Sequence, residues 1–466
     1  MYYIRIYVQA QSEKTAARKL LQENNLRLGH FTTSRHGANF VETWVDGMAF
    51  SELNREKEEI NRLKEEFEKH KKQLLKRKPQ VSTAKTKGGK TSNSSEHDHL
   101  TTDEFYEMEE ILKLRAAAIR KREADVLAEL EKLERERTLH IRELKRIHNE
   151  DQSRFKDYPI LSERYLLLHL IGKGGFSEVH KAMDLRELRH VACKIHQLNR
   201  DWKEDKKANY IKHALREYNI HKKLDHIRII KLYDVFEIDE NSFCTVLEYN
   251  NGTDLDIHLK QSKYLPEREA RSIVIQVVSA LRYLNEIKPP IIHYDLKPGN
   301  ILLGSGVYSG EVKITDFGLS KIMEDSDDSN SDGLELTSQG AGTYWYLPPE
   351  CFMIGRAPPK ISSKVDVWSV GVLLYQCLYG RKPFGHDMSQ SAILEQKTIL
   401  KAVTVDFPSK PAVSSEAKNF VRRCLQYRKE DRPDVLSLCD DPYLRPKKLV
   451  NQSSSNVSSI SSNSLP

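Results

Sequence analysis

Five polar side chains, Lys194, Glu217, Asp295, Asn300 and Asp316, constrain the fold of this chain more than any other feature. Each has a distinct local setting. Lys194 closes the run Val191-Ala192-Cys193, and Glu217 lies in the helical stretch Ala214 to Ile220. Asp295 and Asn300 belong to His293-Tyr294-Asp295-Leu296-Lys297-Pro298-Gly299-Asn300, and Asp316-Phe317-Gly318 follows sixteen positions after Asn300. No single helix or strand can hold all five. A fold that uses them together must bring a strand, a helix and two loops to one place. Residues 165–444 have the texture for that, with short β-branched and apolar runs first and longer helical periods after them, which predicts an α+β domain.

The rest of the 466 residues reads differently. Apolar residues make up 39% and charged residues 30%, so the excess charge belongs to non-globular segments. Residues 1–50 carry no pattern that assigns them. In 51–78, Leu53, Ile60, Phe67 and Leu74 recur every seven residues and predict a short coiled-coil helix, ending at Lys76-Arg77-Lys78-Pro79. Residues 79–100 are rich in Ser, Thr, Lys and Gly and read as a flexible linker. A second coil is predicted over 101–150, with Leu112, Ile119, Val126, Leu133 and His140 at a positions and Ala116, Glu123, Leu130, Arg137 and Leu144 at d. The apolar members predict self-association. The polar trio Glu123, Arg137 and His140 keeps open a solvated single helix held by ion pairs such as Glu131 with Arg135. The Ser-rich tail 447–466 reads as disordered.

Composition also excludes functions. Six cysteines without a CxxC pair argue for reduced thiols and against a zinc site. No apolar run is long enough for a membrane span. The net charge of +7 is modest, acidic residues interleave the basic ones, and no aromatic stacking set accompanies them, so direct nucleic-acid binding is disfavoured.

The 293–300 loop resembles a protein-kinase catalytic loop, and Asp316-Phe317-Gly318 its metal-binding partner. That resemblance implies ATP and Mg²⁺ as cofactors and a bilobal kinase fold preceded by coiled-coil helices. Asp295 then accepts the substrate hydroxyl proton, Lys297 supports the transferred phosphoryl group, and Asn300 with Asp316 binds the metal. Upstream, Ile171-Gly172-Lys173-Gly174-Gly175-Phe176-Ser177-Glu178-Val179 reads as the turn over the phosphates, with Ser177 in place of a third glycine. Lys194 holds phosphate and takes Glu217 as its ion-pair partner. Val179, Ala192 and Leu302 sandwich the adenine, Leu247 lines the back of its pocket, backbone groups at Glu248 and Asn250 bond it, and Asp254 reaches the ribose. His293 is assigned a structural place beneath the loop, and Glu350 a pairing with Arg432.

Lys297-Pro298-Gly299-Asn300 and Thr343 have the spelling of serine/threonine kinases. More narrowly, Gly340-Ala341-Gly342-Thr343-Tyr344-Trp345-Tyr346-Leu347-Pro348-Pro349-Glu350, Leu378 to His386 and Leu28-Gly29-His30-Phe31 resemble the Tousled-like kinases. This implies a nuclear kinase that self-associates through its coils and phosphorylates histone chaperones of the anti-silencing-function type, acting in chromatin assembly, DNA replication and cell-cycle progression. It also implies a longer N-terminal extension, of which this chain would be a short form, with nuclear import left to Lys76 to Lys78 or to a partner. The competing expectation is an inactive coiled-coil scaffold of the same family.

One position departs from the common kinase pattern. Tyr294 stands where many kinases carry an Arg that pairs with a phosphate on the activation loop. Gln339, three residues before Gly342, cannot be phosphorylated, and Glu324-Asp325-Ser326-Asp327-Asp328 brings its own negative charge. Lys321 is left as an anion partner, with Thr337 and Ser338 as acceptors. The expectation is a kinase activated more by association than by a loop phosphate.

Overall fold

The computed structural model describes residues 2–36, 39–79, 100–157, 159–199, 201–323, 334–335, 341–353, 355 and 359–445. In chain order the helices are α1 (Tyr2–Arg27), α2 (Met48–Lys76), α3 (Thr102–Gln152), α4 (Glu204–His221), α5 (Leu255–Ser262), α6 (Glu267–Glu286), α7 (Lys364–Tyr379), α8 (Gln390–Glu395), α9 (Ser415–Cys424) and α10 (Val435–Cys439). The strands are β1 (Gly29–His36), β2 (Asn39–Asp46), β3 (Ile160–Leu161), β4 (Tyr165–Lys173), β5 (Ser177–Asp184), β6 (Arg189–Gln197), β7 (Leu232–Asp239), β8 (Ser242–Glu248), β9 (Ile291–Ile292), β10 (Ile301–Leu303), β11 (Val312–Ile314), β12 (Lys321–Ile322), β13 (Leu334–Glu335) and β14 (Lys360–Ile361). They fall into two compact units: residues up to Asp201 with Tyr233–Tyr249, and Trp202–Leu232 with everything from Asn250.

The first unit is built on a six-stranded sheet of order β3-β4-β5-β6-β8-β7. Period-2 alternation sends Tyr165, Leu167, Ala182, Val191, Cys193, Ile195 and Val246 into one core, where Phe155 joins them. Strand β4 breaks that alternation, since Leu166 and Leu168 are buried as well. A strand apolar on both faces needs two covers. The second is α1, whose Ile6 and Ala10 pack on Leu166, Leu168 and Met183. Residues 1–50, unassignable by pattern, thus become a helix laid on the sheet followed by the β1–β2 hairpin. Gly29 and Gly47 permit the tight junction. Gly29 has φ +122°, and a Cβ there would stand 2.3 Å from the Val45 carbonyl oxygen; one on Gly47 would stand 2.5 Å from the Arg27 backbone.

Helices α2 and α3 pack antiparallel. Arg122 bonds Glu56 and Glu59, Lys64 bonds Glu123 and, nearer the start of α2, Asp46 bonds Arg137. Helix α3 begins at a capping box in which Thr101 and Glu104 bond each other's backbone N–H. Of the predicted a positions, Val126, Leu133 and His140 are buried, as is Ile147 one repeat on, while Leu112 and Ile119 are half-buried. In the described residues this seam is filled from within the chain, Leu133 packing with Leu28 and Phe50, and Leu53 and Leu130 beside them. The polar trio that favoured a solvated helix is also partnered internally. Glu123 meets Lys64 at 2.5 Å, Arg137 meets Asp46 at 3.0 Å and lies over the Phe50 ring, and His140 Nε2 is 3.1 Å from the Gly29 carbonyl and from Asn25. Glu131 and Arg135 approach to 3.9 Å. The linker and tail assigned from composition lie almost wholly outside the described residues.

The second unit is mainly helical around α7. That helix is apolar on every side and buried along nearly its whole length, the pattern of a central core helix. Apolar faces of α6, α9 and α10 pack around it, and the short pairs β9–β12 and β10–β11 hold the loops described next.

Candidate active site

In the first unit, register decides which side chains share a face. Val179 pairs with Lys194, Lys181 with Ala192, and Ala192 in turn with Leu247. Opposed residues lie on the same side of a sheet, so Val179, Ala192, Lys194 and Leu247 form one half-open surface while their neighbours fill the core. Glu248 ends β8 opposite Val191. At the turn before β5, Gly174 N–H donates to the Ser177 carbonyl at 2.7 Å, and a Cβ on Gly174 would lie 3.0 Å from Ser177 Oγ. Around Gly172 and Gly175 the space is open, and Ile171 is exposed. Exposed backbone beside a surface cation suits a phosphate chain.

In the second unit, the catalytic-loop residues converge. Lys297 Nζ donates to Asp295 Oδ2 at 2.6 Å and to Thr343 Oγ1 at 3.1 Å, while Thr343 Oγ1 donates to Asp295 Oδ1 at 2.9 Å. Asn300 Nδ2 donates to the Asp295 carbonyl at 2.8 Å and its Oδ2 at 3.0 Å. Asp295 is thus buried and oriented at both oxygens. Thr343 bridges Asp295 and Lys297.

The donor set fits a hard cation held with phosphate. With its nitrogen turned to Asp295, the Asn300 amide presents oxygen on its other arm. The Asn300 carbonyl accepts from Thr315 N–H at 3.0 Å, which sets Asp316 beside it. Two oxygen donors suffice for Mg²⁺, which keeps water and takes substrate phosphate for its remaining positions. A Cβ on Gly318 would meet Glu217 Oε2 at 3.2 Å and Asp316 Oδ1 at 3.3 Å, so both carboxylates crowd that glycine. Asp254 caps α5 through a 2.8 Å bond from Ile257 N–H and bridges to Leu302, and Asn250 Oδ1 accepts from Gly252 N–H.

Backbone strain marks the same loops. Tyr294 and Asp316 hold φ of 69° and 67°, uncommon for residues with a Cβ. Asp366, at the start of α7, holds the first: its two oxygens accept from the N–H groups of His293 and Tyr294 at 2.8 and 2.9 Å. Burial pushes its carboxyl up while His293 and these two N–H groups act against that. Asp366 is not among the site residues read from the sequence. The available signal was one acid in an otherwise apolar run. His293 is structural, its Nε2 at 3.2 Å from the Thr315 carbonyl and its ring beside Phe317. Glu350 and Arg432 form the expected pair, with bonds of 2.8 and 3.2 Å.

Tyr294 is buried at 1% exposure, its hydroxyl against Cys351, and Lys321 Nζ stands 4.9 Å from its ring centroid. Burial and then Arg216 push the Lys321 ammonium down. Gln339, Thr337, Ser338 and Glu324 to Asp328 lie outside the described residues.

The sequence pattern of the protein kinase domain matches residues 165–444. Over 465 residues the chain is 63% identical to mouse serine/threonine-protein kinase tousled-like 2, covering 98% of this chain and 65% of that protein. Human serine/threonine-protein kinase tousled-like 1 is 59% identical over 96% of the chain and 60% of its own length. The Arabidopsis thaliana serine/threonine-protein kinase TOUSLED is 51% identical over 93% and 61%. The chain spans less than two thirds of the length of these relatives. With a kinase domain over more than half its residues and this likeness along nearly all of them, the chain belongs to the protein kinase family, in its Tousled-like branch.

Proposed function

We propose that the chain is an ATP-dependent serine/threonine protein kinase. The observation that carries this is the closed set of bonds holding Asp295 between Lys297, Thr343 and Asn300. Asp295 accepts the hydroxyl proton of a bound Ser or Thr as phosphoryl transfer proceeds, and Lys297 and Lys194 offset charge on the phosphate oxygens. Asn300 and Asp316 are the residues that would hold Mg²⁺, which supplies charge neutralisation along the triphosphate. Radiolabel transfer from ATP to a protein substrate tests the reading. Asp295→Asn keeps the shape and removes the base, so incorporation should fall about 10²- to 10⁴-fold. Equal incorporation in both proteins would refute the catalytic assignment of Asp295.

The substrate reading is a histone chaperone of the anti-silencing-function type, with roles in chromatin assembly, replication and the cell cycle. Membership of the Tousled-like branch supports it. It predicts faster phosphorylation of such a chaperone than of a generic acceptor such as casein, and equal rates would remove it. Nuclear localisation is proposed from the basic cluster closing α2. Self-association through the coils is proposed from α3's early turns, where Tyr106, Met108, Ile111 and Leu114 are exposed. Light scattering with Leu114→Glu tests it, since an unchanged mass would refute that face as the contact.

A further inference from the structure

The end of α3 grips the strands that flank the glycine-rich turn. Strand β4 carries two register shifts against β5, between Leu167 and Leu170 and between Leu170 and Gly172. Such bulges interrupt the ladder and redirect the strand. Between them, Arg146 of α3 donates to the Leu170 carbonyl at 2.9 Å. Arg146 is itself fixed by Glu143 and Glu150, with bonds of 2.7 and 2.9 Å.

Two helical turns on, Ser153 caps α3 and donates from Oγ to Glu178 Oε2 at 2.6 Å. Glu178, 4% exposed, follows the turn, and its other oxygen takes Lys173 Nζ from within the turn at 3.1 Å. His180 Nε2 lies 3.3 Å from Oε2. Burial would raise the Glu178 carboxyl, yet bonds from His180, Ser153 and Lys173 outweigh it and hold it at about 2. The next residues anchor the chain: Phe155 enters the sheet core and Arg154 bonds Asp239 at 2.6 Å. A cavity of about 360 Å³ lies beside Arg146, where Lys14 and Arg146 both pair with Glu150, so the junction is a docking contact within the chain.

We propose that the last turns of α3 position the glycine-rich turn for ATP, with Arg146 acting through the Leu170 carbonyl and Ser153 through Glu178 and Lys173. This rests on the kinase reading for its kinetic consequence, though not for its structural one. The coiled helix is then part of the nucleotide-binding apparatus, and movement of the helix is transmitted to the turn.

The experiment uses the full chain with Ser153→Ala, Ser153→Thr and Arg146→Gln. Ser153→Ala should raise KM for ATP about tenfold or more, the effect of losing one hydrogen bond to a charged group, and lower kcat by less than that. Ser153→Thr should restore the parent KM. Hydrogen exchange of amides 172–178 should accelerate in Ser153→Ala and Arg146→Gln, a readout that needs no catalysis. If the parent transfers no phosphate, the kinase reading fails while exchange still decides the positioning. Exchange unmoved in both variants overturns the proposal. So does a fall in thermal midpoint with KM for ATP unchanged, which would show Ser153 to be a packing residue only.

Discussion

Single residues show how much a motif conceals. Tyr294 is legible as a departure from the common kinase loop, but its consequence depends on neighbours far away in sequence. Its ring lies beneath Lys321, and Arg216 contributes charge nearby. Restoring the common residue should therefore do harm, because Tyr294→Arg would bury a cation beside buried Lys321 and near the charge of Arg216. We expect a loss of about 2–4 kcal/mol in urea unfolding, and Tyr294→Phe should cost under about 1 kcal/mol. An Arg variant as stable as the parent would refute the crowding argument. Asp366 teaches the converse: an acid with no catalytic motif around it holds the backbone that carries Asp295.

At the scale of elements, heptad spacing includes the buried Val126, Leu133 and His140 of α3 but could not name their partner. Spacing reports that a face wants covering, and identical spacing serves an intrachain hairpin or a second copy. Here Leu28, Phe50 and Leu133 cover one another. Leu133→Asp, buried in the parent at 3% exposure, should free α2 and the β1–β2 hairpin. Hydrogen exchange across 29–46 and 48–76 should rise at least tenfold, whereas Leu133→Ala, costing about 2–4 kcal/mol, should give a smaller rise. Protection unchanged by the Asp variant would show the seam to be unimportant. Helix α1 was illegible because it has no strong amphipathic period of its own; the readable sign lay in Leu166-Leu167-Leu168, apolar on both faces of β4.

At the scale of the molecule, the Glu178 junction makes stability depend on pH. Its folded carboxyl titrates near 2, below the ordinary 4.5, so the ionised form favours the folded state. That contribution is complete above about pH 4.5 and is lost as pH falls toward 2. Glu178→Gln should be less stable at pH 7 by on the order of 2–3 kcal/mol, and the gap from the parent should close by about pH 2. Urea midpoints at several pH values would read this, and a gap constant from pH 7 to pH 2 would exclude the linkage.

Chemistry was written locally. Asp295, Lys297 and Asn300 lie within six residues, and Asp316 follows at a short fixed offset, so a β-hairpin and its loops bring them together. Membership of the Tousled-like branch rests on such runs and on likeness along the chain. Partnership between distant segments was settled only by packing: α1 on β4, α2 against α3, Asp366 under the loop, and Ser153 with Arg146 on the glycine-rich strands. Burial and hydrogen-bond satisfaction choose among many apolar faces and many polar groups, and that choice depends on where the whole chain places them.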